Sequence, residues 1–339
     1  MESSAASPSP LAFLDALHGY QRTAALRAAV ELDLFSALAQ CNGELAETAA
    51  RCAASERGIR ILCDYLAIHG FLIKSDARYR LTQDSAVFLV RGSPAYLGDT
   101  LEFLLSEELT EGFRTLTQAV RKGGTALPAR GTMESQHPVW VKFARVMGPM
   151  IAQPASTIAA LADPLGARPL RVLDVAAGHG LFGIAFAQRN PHAHIVAQDW
   201  APVLEVAHEH ARDAGVADRY ALLPGDAFEV DFGDGYDIAL LTNFLHHFDP
   251  PTCERLIVKV RDSLKQEGIV ATLEFVPHEN RVSPPAAAAF SLTMLATTQA
   301  GDAYTFGEYD RMFRDAGFGE STFHPLPPPH AQSVILTRR

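Results

Sequence analysis

Four titratable side chains follow one another along the chain at intervals that point to one reaction centre. Asp174, Asp199, Asp226 and His246 lie 25, 27 and 20 residues apart, each at or just beyond the end of a short apolar segment. If those segments are parallel strands of one open sheet, their carboxyl ends form a common edge, where such sheets bind ligands. Acids at this edge can accept hydrogen bonds from a nucleotide. A histidine there can take a proton from a bound hydroxyl near neutral pH.

A glycine-rich turn follows the first acid. Within Arg171–Gly183, an apolar strand runs into Gly178-His-Gly-Leu-Phe-Gly183, which has the G-x-G-x-x-G layout of a dinucleotide-binding unit. Asp174 favours another ligand, because a carboxylate at this strand tip repels a pyrophosphate and attracts a cation. We therefore predict S-adenosyl-L-methionine, with its cationic ammonium and sulfonium groups, as the cofactor and S-adenosyl-L-homocysteine as the product.

Further cofactor contacts are predicted at the next strand tips. Asp199 is expected to accept both ribose hydroxyls, with capping of the following helix as the structural alternative. Asp226 is expected to accept from the adenine amino group, and Phe228 to lie on the ring. The complete predicted cofactor site is Asp174, Ala176, Gly178, Gly180, Asp199, Trp200, Gly225, Asp226, Ala227, Phe228 and Asn243.

The elements that must position these residues form an α/β domain over 166–339. Strands alternate with helices, which predicts a Rossmann-like, seven-stranded, mostly parallel sheet covered on both faces. The last two strands lie too close together for a crossover helix, so we expect a C-terminal antiparallel hairpin at the sheet edge. The predicted strands are 170–175, 194–199, 220–224, 236–242, 268–276, 320–324 and 332–337, with helices near 181–190, 202–214, 252–265 and 308–316.

A mainly helical domain is predicted over 11–105. Helices over Leu11–Leu38, Leu45–Arg51 and Ser55–His69, followed by a hairpin over 71–82, form a winged helix. The candidate recognition helix mixes acidic and basic residues, which favours packing or dimerisation over DNA binding. Residues 106–165 are predicted to be a helical linker that contributes acceptor-pocket helices, and 1–10 a disordered tail.

Composition narrows the classes of partner. The 339-residue chain has a net charge of −10, which argues against nucleic acid and against an anionic membrane surface. It contains no apolar run long enough to span a bilayer and no signal-peptide pattern at its start. Cysteines 41, 52, 63 and 253 have no metal-binding or disulfide spacing, so we expect buried thiols, no metal and a cytoplasmic location.

Together, these motifs resemble the class I S-adenosylmethionine-dependent methyltransferases. More narrowly, the chain is similar to small-molecule O-methyltransferases that carry an N-terminal winged-helix dimerisation domain. Val172–Gly180 stands where that family has its D-x-G-G-G-x-G loop, Gln198-Asp199 at its ribose acid and Gly225–Phe228 at its adenine motif. Leu245-His-His-Phe-Asp249 matches its L-H-D-W-x-D segment. The resemblance implies a homodimer in which His246 is the general base and Glu274 orients it.

Several positions depart from that family. Ala176 and Ala177 replace two glycines, which is tolerated if their φ angles stay negative, and Thr242 replaces a common lysine. Asp302 is the candidate for a second acid beside the base. His247 replaces an aspartate, and we interpret it as a solvated neighbour of a helix cap.

The resemblance also places the acceptor between the nucleotide domain and helices from the middle and end of the chain. A pocket walled by phenylalanine and methionine suits a flat, mostly apolar acceptor that carries a hydroxyl. The predicted acceptor-binding residues are Phe143, Met147, Phe244, Phe290, Met294, Thr298 and Asp302.

The leading hypothesis is methyl transfer to a hydroxyl of a small aromatic or polyketide-like acceptor. The same scaffold also hosts N- and C-methyltransferases and relatives that bind the cofactor without methylating, so these remain alternatives. An NAD-dependent dehydrogenase is opposed by Asp174 and by the Gly225–Phe228 turn. A DNA-binding regulator is opposed by the acidic charge balance.

Overall fold

The computed structural model describes residues 8–128, 131–134 and 136–339, so the predicted tail lies mostly outside the described residues. The chain divides into two compact units, Met1–Leu101 and Glu102–Arg339. The segment 106–165 belongs to the second unit. Within the described residues, no helix combines the length and apolar character needed to cross a membrane.

The first unit contains four helices, a two-stranded antiparallel hairpin and a fifth short helix. Its first predicted helix is interrupted, because Asp33 adopts a left-handed backbone (φ 50°) and the chain turns there. Ser55 begins the fourth helix as predicted, since its hydroxyl accepts a hydrogen bond from the Gly58 amide. The elements are α1 Leu11–Glu31, α2 Leu34–Gln40, α3 Leu45–Arg51, α4 Glu56–Ile68, β1 Leu72–Ser75, β2 Arg78–Leu81 and α5 Gln83–Phe88.

Two surfaces of this unit bear on function. On α4, the Asp64 carboxylate pairs with Arg60 at 2.9 Å and with Lys74 of β1 at 2.6 Å, so part of the helix's positive charge is neutralised within the fold. On α1, by contrast, Leu11, Phe13, Leu17 and Tyr20 are exposed apolar or aromatic side chains. Leu17 and Tyr20 are three residues apart, so they lie on neighbouring turns of one helix face.

The second unit begins with five helices and continues with a seven-stranded sheet. The strand order is β5-β4-β3-β6-β7-β9-β8, in which β9 pairs antiparallel with both β7 and β8 and the remaining pairs are parallel. This confirms the predicted fold class. The elements are α6 Leu101–Leu104, α7 Glu107–Arg114, α8 Leu116–Lys122, α9 Val139–Val146, α10 Gly148–Ala162, β3 Leu170–Val175, α11 Leu181–Arg189, β4 Ala193–Asp199, α12 Ala201–Asp213, β5 Tyr220–Pro224, β6 Tyr236–Thr242, α13 Pro250–Ser263, β7 Leu264–Phe275, α14 Pro285–Thr297, α15 Phe306–Asp315, β8 Ser321–Pro325 and β9 Gln332–Arg338.

The sheet brings the predicted site to one edge. β3 pairs with β4 on one side and β6 on the other, so the chain order reverses at β3. A crevice at such a reversal, outside the carboxyl ends of the strands, is where open α/β sheets bind ligands. Along β3, Val172 packs into one hydrophobic core and Leu173 into the other. Both faces of β3 are therefore buried, and this packing fixes the position of Asp174 near the carboxyl end of the strand.

Candidate active site

The loop after β3 turns through three residues with positive φ: Ala176 at 52°, Gly178 at 56° and Gly180 at 75°. The expectation of negative φ at the alanines is therefore wrong for Ala176, whose strained conformation is supported by a hydrogen bond from its amide to the Gln198 side chain. A Cβ atom at Gly180 would lie 2.6 Å from the Tyr220 hydroxyl. Glycine is therefore required there for packing as well as for backbone conformation.

Asp174 is completely buried at the tip of β3. One carboxylate oxygen accepts the Gly183 amide in the first turn of α11 at 2.9 Å, and the other has no hydrogen-bond partner among the described residues. Burial raises the pKa of Asp174 to about 8, and the negative charge of Asp199 adds to the increase, while the Gly183 hydrogen bond opposes it. The predicted contact of Asp174 with a ligand's cationic groups stays a prediction. In this structure the carboxylate holds the glycine loop through the Gly183 amide.

Asp199 connects the end of β4 to the same loop. Its carboxylate accepts the Gly178 amide at 2.8 Å and the Trp200 amide, just before α12, at 2.7 Å. Burial raises its pKa to about 6, and the two backbone hydrogen bonds oppose the shift. Each carboxylate oxygen has a second lone pair, so the residue can hold the loop and also accept from ribose hydroxyls.

The turn after β5 is held by local hydrogen bonds. The Asp226 carboxylate accepts the Phe228 amide at 2.8 Å, and the Gln198 side-chain amide donates to the Gly225 carbonyl at 2.6 Å. Gln198 therefore braces two cofactor loops, a role that its position beside Asp199 did not reveal. Asn243 has a positive φ of 53°, and its side-chain oxygen accepts from Gln332 of β9 at 3.1 Å. The predicted cofactor contact of Asn243 stays a prediction, and its side-chain oxygen keeps a second lone pair.

Beyond β6, His246 lies in a single 3-10 turn, Leu245–His247, that a carboxylate organises. One oxygen of Glu274, at the end of β7, lies 2.5 Å from Nδ1 of His246, and the other accepts the Phe244 and Leu245 amides at 3.0 and 2.8 Å. Both side chains are buried. Because the carboxylate accepts the proton of Nδ1, Nε2 is the nitrogen that carries a free lone pair. The pair can therefore act as an oriented base.

The carbonyl groups of the same turn are held from the opposite side. The Tyr304 hydroxyl donates to the Phe248 carbonyl at 2.6 Å, and the Cys253 thiol donates to the Leu245 carbonyl at 3.2 Å. A Cβ atom at Gly301 would lie 2.3 Å from the His246 carbonyl oxygen, so this segment also packs closely on the turn. The turn is therefore fixed at both its amides and its carbonyls. Sequence reasoning missed Tyr304, which stands in no motif.

A continuous row of rings links the glycine loop to the base. Phe143 of α9 stacks on His179 of the loop with ring centres 5.6 Å apart, and contacts Trp140 at 5.9 Å. Trp140 in turn contacts His247 at 5.2 Å. On the other side of the base, Phe290 of α14 lies 4.8 Å from the His246 ring. An apolar wall thus runs between the two chemical centres, and Trp140 and His179 are wall residues that were not predicted.

His247 belongs to this wall. Only 8% of its surface is exposed, so the interpretation as a solvated cap neighbour is wrong. Burial, followed by the effect of His246, holds the pKa of His247 well below its usual range, so the ring is neutral. The capping function falls instead to Asp249, whose carboxylate accepts the Thr252 amide at the start of α13.

The other predicted acceptor residues divide into two groups. Met147 and Met294 are buried apolar side chains, as a pocket wall or a plain core would require. Thr298 is fully buried, and its hydroxyl donates to the Met294 carbonyl and accepts the Gly301 amide at the end of α14. The Asp302 carboxylate pairs with Arg281 at 3.2 Å. The predicted acceptor contacts of both residues stay predictions.

The strand-tip site fits a cationic nucleotide better than a dinucleotide. Burial raises the pKa values of both Asp174 and Asp199, and the charge of Asp199 adds to the increase at Asp174, so negative charge at this edge is destabilised. A positively charged ligand relieves that destabilisation, whereas a pyrophosphate would increase it. The compact glycine loop brings backbone amides to the same edge. The fold and this site together define a class I methyltransferase that uses S-adenosyl-L-methionine.

Comparisons with known proteins support this class. Residues 141–319 match the O-methyltransferase domain, and residues 14–91 match the O-methyltransferase dimerisation domain. A 3-hydroxy-5-methyl-1-naphthoate 3-O-methyltransferase from Streptomyces sahachiroi is 30% identical over 96% of this chain and 94% of its own length. A solved structure described as an O-methyltransferase from Nostoc punctiforme PCC 73102 is 53% identical, covers 98% of this chain and 100% of its own, and has a TM-score of 0.94.

Human N-acetylserotonin methyltransferase, solved with S-adenosylmethionine, shares the fold at 23% identity, with a TM-score of 0.83 and coverage of 100% of this chain and 99% of its own. The chain belongs to the O-methyltransferase family. It is an S-adenosylmethionine-dependent enzyme with the family's dimerisation domain at its N-terminal end.

We predict that Asp174→Asn will flatten the pH dependence of stability. The folded-state pKa of about 8 lies above the ordinary aspartate value of 3.8, so the unfolded chain releases its proton first and stability falls as the pH rises from 3.8 to about 8, where the loss levels off. In thermal or urea unfolding of the ligand-free protein between pH 6.5 and 8.5, the wild type should lose up to about 1.4 kcal/mol per pH unit more than the variant.

Asp237→Asn is the matched control. Asp237 is also a buried acid, but ion pairs with Arg168 and Lys265 and a backbone hydrogen bond outweigh desolvation and lower its pKa. This variant should lose stability while keeping the wild-type slope above pH 6.5. Equal slopes for the wild type and Asp174→Asn would contradict the assignment of a raised pKa to Asp174.

We also predict that Tyr304→Phe will lower turnover by about tenfold, because the released Phe248 carbonyl lets the catalytic turn shift. Tyr236→Phe is the control, since its buried hydroxyl also donates to a carbonyl, that of Phe232 at 2.8 Å, far from the base. Each variant should lose about 1 kcal/mol of stability. Only Tyr304→Phe should change kcat, and equal kcat values would remove Tyr304 from the positioning of the base.

Proposed function

We propose that this enzyme transfers a methyl group to a hydroxyl of a small aromatic or polyketide-like acceptor, with His246 as the general base. The observation that carries the proposal is the contact between Nδ1 of His246 and the fully buried Glu274 carboxylate. It leaves Nε2 of a buried imidazole without a hydrogen-bond partner among the described residues. A base arranged in this way can remove the proton of a phenol. The phenolate oxygen that remains is nucleophilic.

The chain's own groups account for activation and orientation. Nε2 of His246 accepts the hydroxyl proton, the electron pair of the O–H bond stays on the oxygen, and the Glu274 carboxylate stabilises the resulting imidazolium. Phe244 and Leu245 amides hold that carboxylate in place, so little reorganisation accompanies proton transfer. When bound, S-adenosyl-L-methionine supplies the electrophilic methyl group. The surrounding rings exclude water, which would otherwise compete for the base.

The acceptor class follows from the wall and from relatives. Rings of Phe143, Trp140 and Phe290 offer flat apolar surfaces on two sides of the site. The Streptomyces sahachiroi relative acts on a hydroxynaphthoate, and a relative from Streptomyces glaucescens is an 8-O-methyltransferase of tetracenomycin polyketide synthesis, 27% identical over 87% of this chain and 87% of its own length. A hydroxylated polycyclic aromatic is therefore our proposed acceptor.

Carbon methylation is the second candidate. A relative from Streptomyces lavendulae, 25% identical over 89% of this chain and 84% of its own, is an L-tyrosine C(3)-methyltransferase, whose acceptor carbon lies next to a phenol. The same base could generate a phenolate that reacts at the neighbouring carbon. The two outcomes are separated by the position of the methyl group in the product.

We predict that His246→Ala will reduce methyl transfer by about 10²–10⁴-fold, because general base catalysis contributes that range. The measurement is transfer of labelled methyl from S-adenosyl-L-methionine to a panel of hydroxylated naphthalenes and anthraquinones, with the methylated position determined by NMR. The dissociation constant of S-adenosyl-L-homocysteine, measured by calorimetry, should stay within about threefold of the wild-type value.

Glu274→Gln provides the second variant. It keeps the size of the side chain but gives a neutral acceptor for Nδ1, so turnover should fall while His246 remains in place. Wild-type turnover in His246→Ala would remove this residue from the base role. Tight binding of NADH in place of S-adenosyl-L-homocysteine would overturn the cofactor assignment.

We further propose that the protein is a homodimer built on its dimerisation domain and that it works in the reducing cytoplasm. The exposed apolar residues on α1, Leu11, Phe13, Leu17 and Tyr20, would be covered by a second copy. All four cysteines are buried free thiols, which suits a reducing compartment.

We predict that the double variant Leu17→Glu/Tyr20→Glu will be monomeric in sedimentation equilibrium while the wild type is dimeric. In the dimer, the two introduced carboxylates on the α1 face would lose their hydration without gaining a partner, which disfavours association. Glu31→Ala, at the end of the same helix, is the control and should stay dimeric. A monomeric wild type would contradict the proposal.

A further inference from the structure

His247 is a polar ring in an apolar setting. It is more than nine-tenths buried, and its Nδ1 is fully enclosed without a hydrogen-bond partner among the described residues. The neighbouring His246 has Glu274 as its partner, whereas no carboxylate or carbonyl of the part of the chain that the structure describes is hydrogen-bonded to Nδ1 of His247. The fold therefore uses the backbone of His247 in the catalytic turn but leaves its side chain chemically unused.

Four aromatic or imidazole rings surround the His247 ring. Ring centres lie 4.2 Å away for His246, 5.2 Å for Trp140, 6.4 Å for Phe244 and 6.3 Å for Phe248. The contacts with Trp140, Phe244 and Phe248 are edge-on packing contacts worth about 0.5–1.5 kcal/mol each. An aromatic ligand that enters beside the base can replace one of them with a similar contact of its own.

The energetic balance favours a partner supplied by a ligand. A buried polar atom without a hydrogen bond costs about 1–3 kcal/mol, and a phenylalanine would fill nearly the same space without that cost. His247 also lies in the wall between the glycine loop and the base, where the reacting oxygen must be held. A polar group retained at this point is best explained by a second polar atom on the acceptor.

We propose that His247 determines acceptor specificity by hydrogen bonding a second oxygen substituent that lies next to the hydroxyl undergoing methylation. The inference rests on the proposed function, because it takes the acceptor hydroxyl to be at His246. The two adjacent imidazoles then contact two adjacent oxygens of the acceptor. His246 removes the proton from one oxygen, and His247 hydrogen bonds to the other without taking its proton.

The chemical class of the second group follows from the state of the ring. A neutral imidazole offers one N–H donor and one acceptor nitrogen, and its tautomer can adapt. It can donate to a carbonyl or exchange a hydrogen bond with a hydroxyl. The acceptor class is therefore an aromatic with a hydroxyl and an adjacent hydroxyl or carbonyl, and a methyl group in the second position should be discriminated against.

The test compares two acceptors of nearly equal shape, 2,3-dihydroxynaphthalene and 3-methyl-2-naphthol, on the full-length protein. Methyl transfer gives kcat/KM for each. Calorimetry on the protein loaded with S-adenosyl-L-homocysteine gives the affinity for each without requiring turnover. After correction for its two equivalent hydroxyls, the diol should be preferred by the wild type about tenfold in both measurements, which corresponds to about 1.4 kcal/mol.

His247→Phe should reduce this preference to less than about threefold, because the loss falls on the diol more than on 3-methyl-2-naphthol. His247→Asn and His247→Gln restore an amide near the position of Nδ1 or Nε2, and one of them should recover part of the preference. Thermal unfolding of each variant confirms that it is folded. A purely structural role would change both acceptors equally.

The outcomes separate this inference from the proposed function. A wild type with no preference for the diol, or a His247→Phe variant that keeps the preference, overturns the role of His247 whether or not methyl transfer occurs. Selective binding of the diol that is lost in His247→Phe, together with no transfer to either oxygen, would support the role of His247 and overturn O-methylation as the proposed function.

Discussion

The buried carboxylate of Glu274 is the constraint on which the reaction centre depends. Removing a charged carboxylate from water is costly unless hydrogen bonds replace the lost hydration. Here the replacements are the Phe244 and Leu245 amides and Nδ1 of His246, so the requirement to satisfy one charge sets the position of the turn and the orientation of the ring together. β7 is paired on both sides by β6 and β9, which makes the support for this carboxylate rigid.

The cofactor edge follows the opposite electrostatic principle. Within the described ranges, Asp174 and Asp199 receive backbone amides but no cationic side chain, and their pKa values rise because both are buried. Two buried acids without a cationic partner destabilise the ligand-free protein, and a positively charged ligand removes this unfavourable electrostatic energy. The energy released in this way contributes to the free energy of ligand binding. S-adenosyl-L-homocysteine lacks the sulfonium charge, so it would remove less of this unfavourable energy than S-adenosyl-L-methionine would.

The strands along the chain and the tips at which acids stand could be predicted from the sequence because they depend on local period and spacing. Other features depend on distant partners. The left-handed backbone of Ala176 is supported by Gln198, 22 residues away, and the Asp302 carboxylate pairs with Arg281, 21 residues before it. The burial of His247 comes from Trp140, which belongs to a helix before the sheet. The Tyr304 hydroxyl reaches Phe248 across 56 residues, so no pattern around either residue indicates the contact.

The site therefore combines a fixed base with an exchangeable wall. The base is held by directional hydrogen bonds to a carboxylate and to the carbonyls of its turn, whereas the wall is held by ring contacts that one aromatic side chain can make as well as another. Substitutions in the wall can change the acceptor without moving the base, because the two depend on different interactions. His247 is the point where these parts meet: its backbone belongs to the fixed turn, and its side chain to the wall. Under the proposed function, a change there alters which aromatic is accepted and leaves the contact between Glu274 and His246 in place.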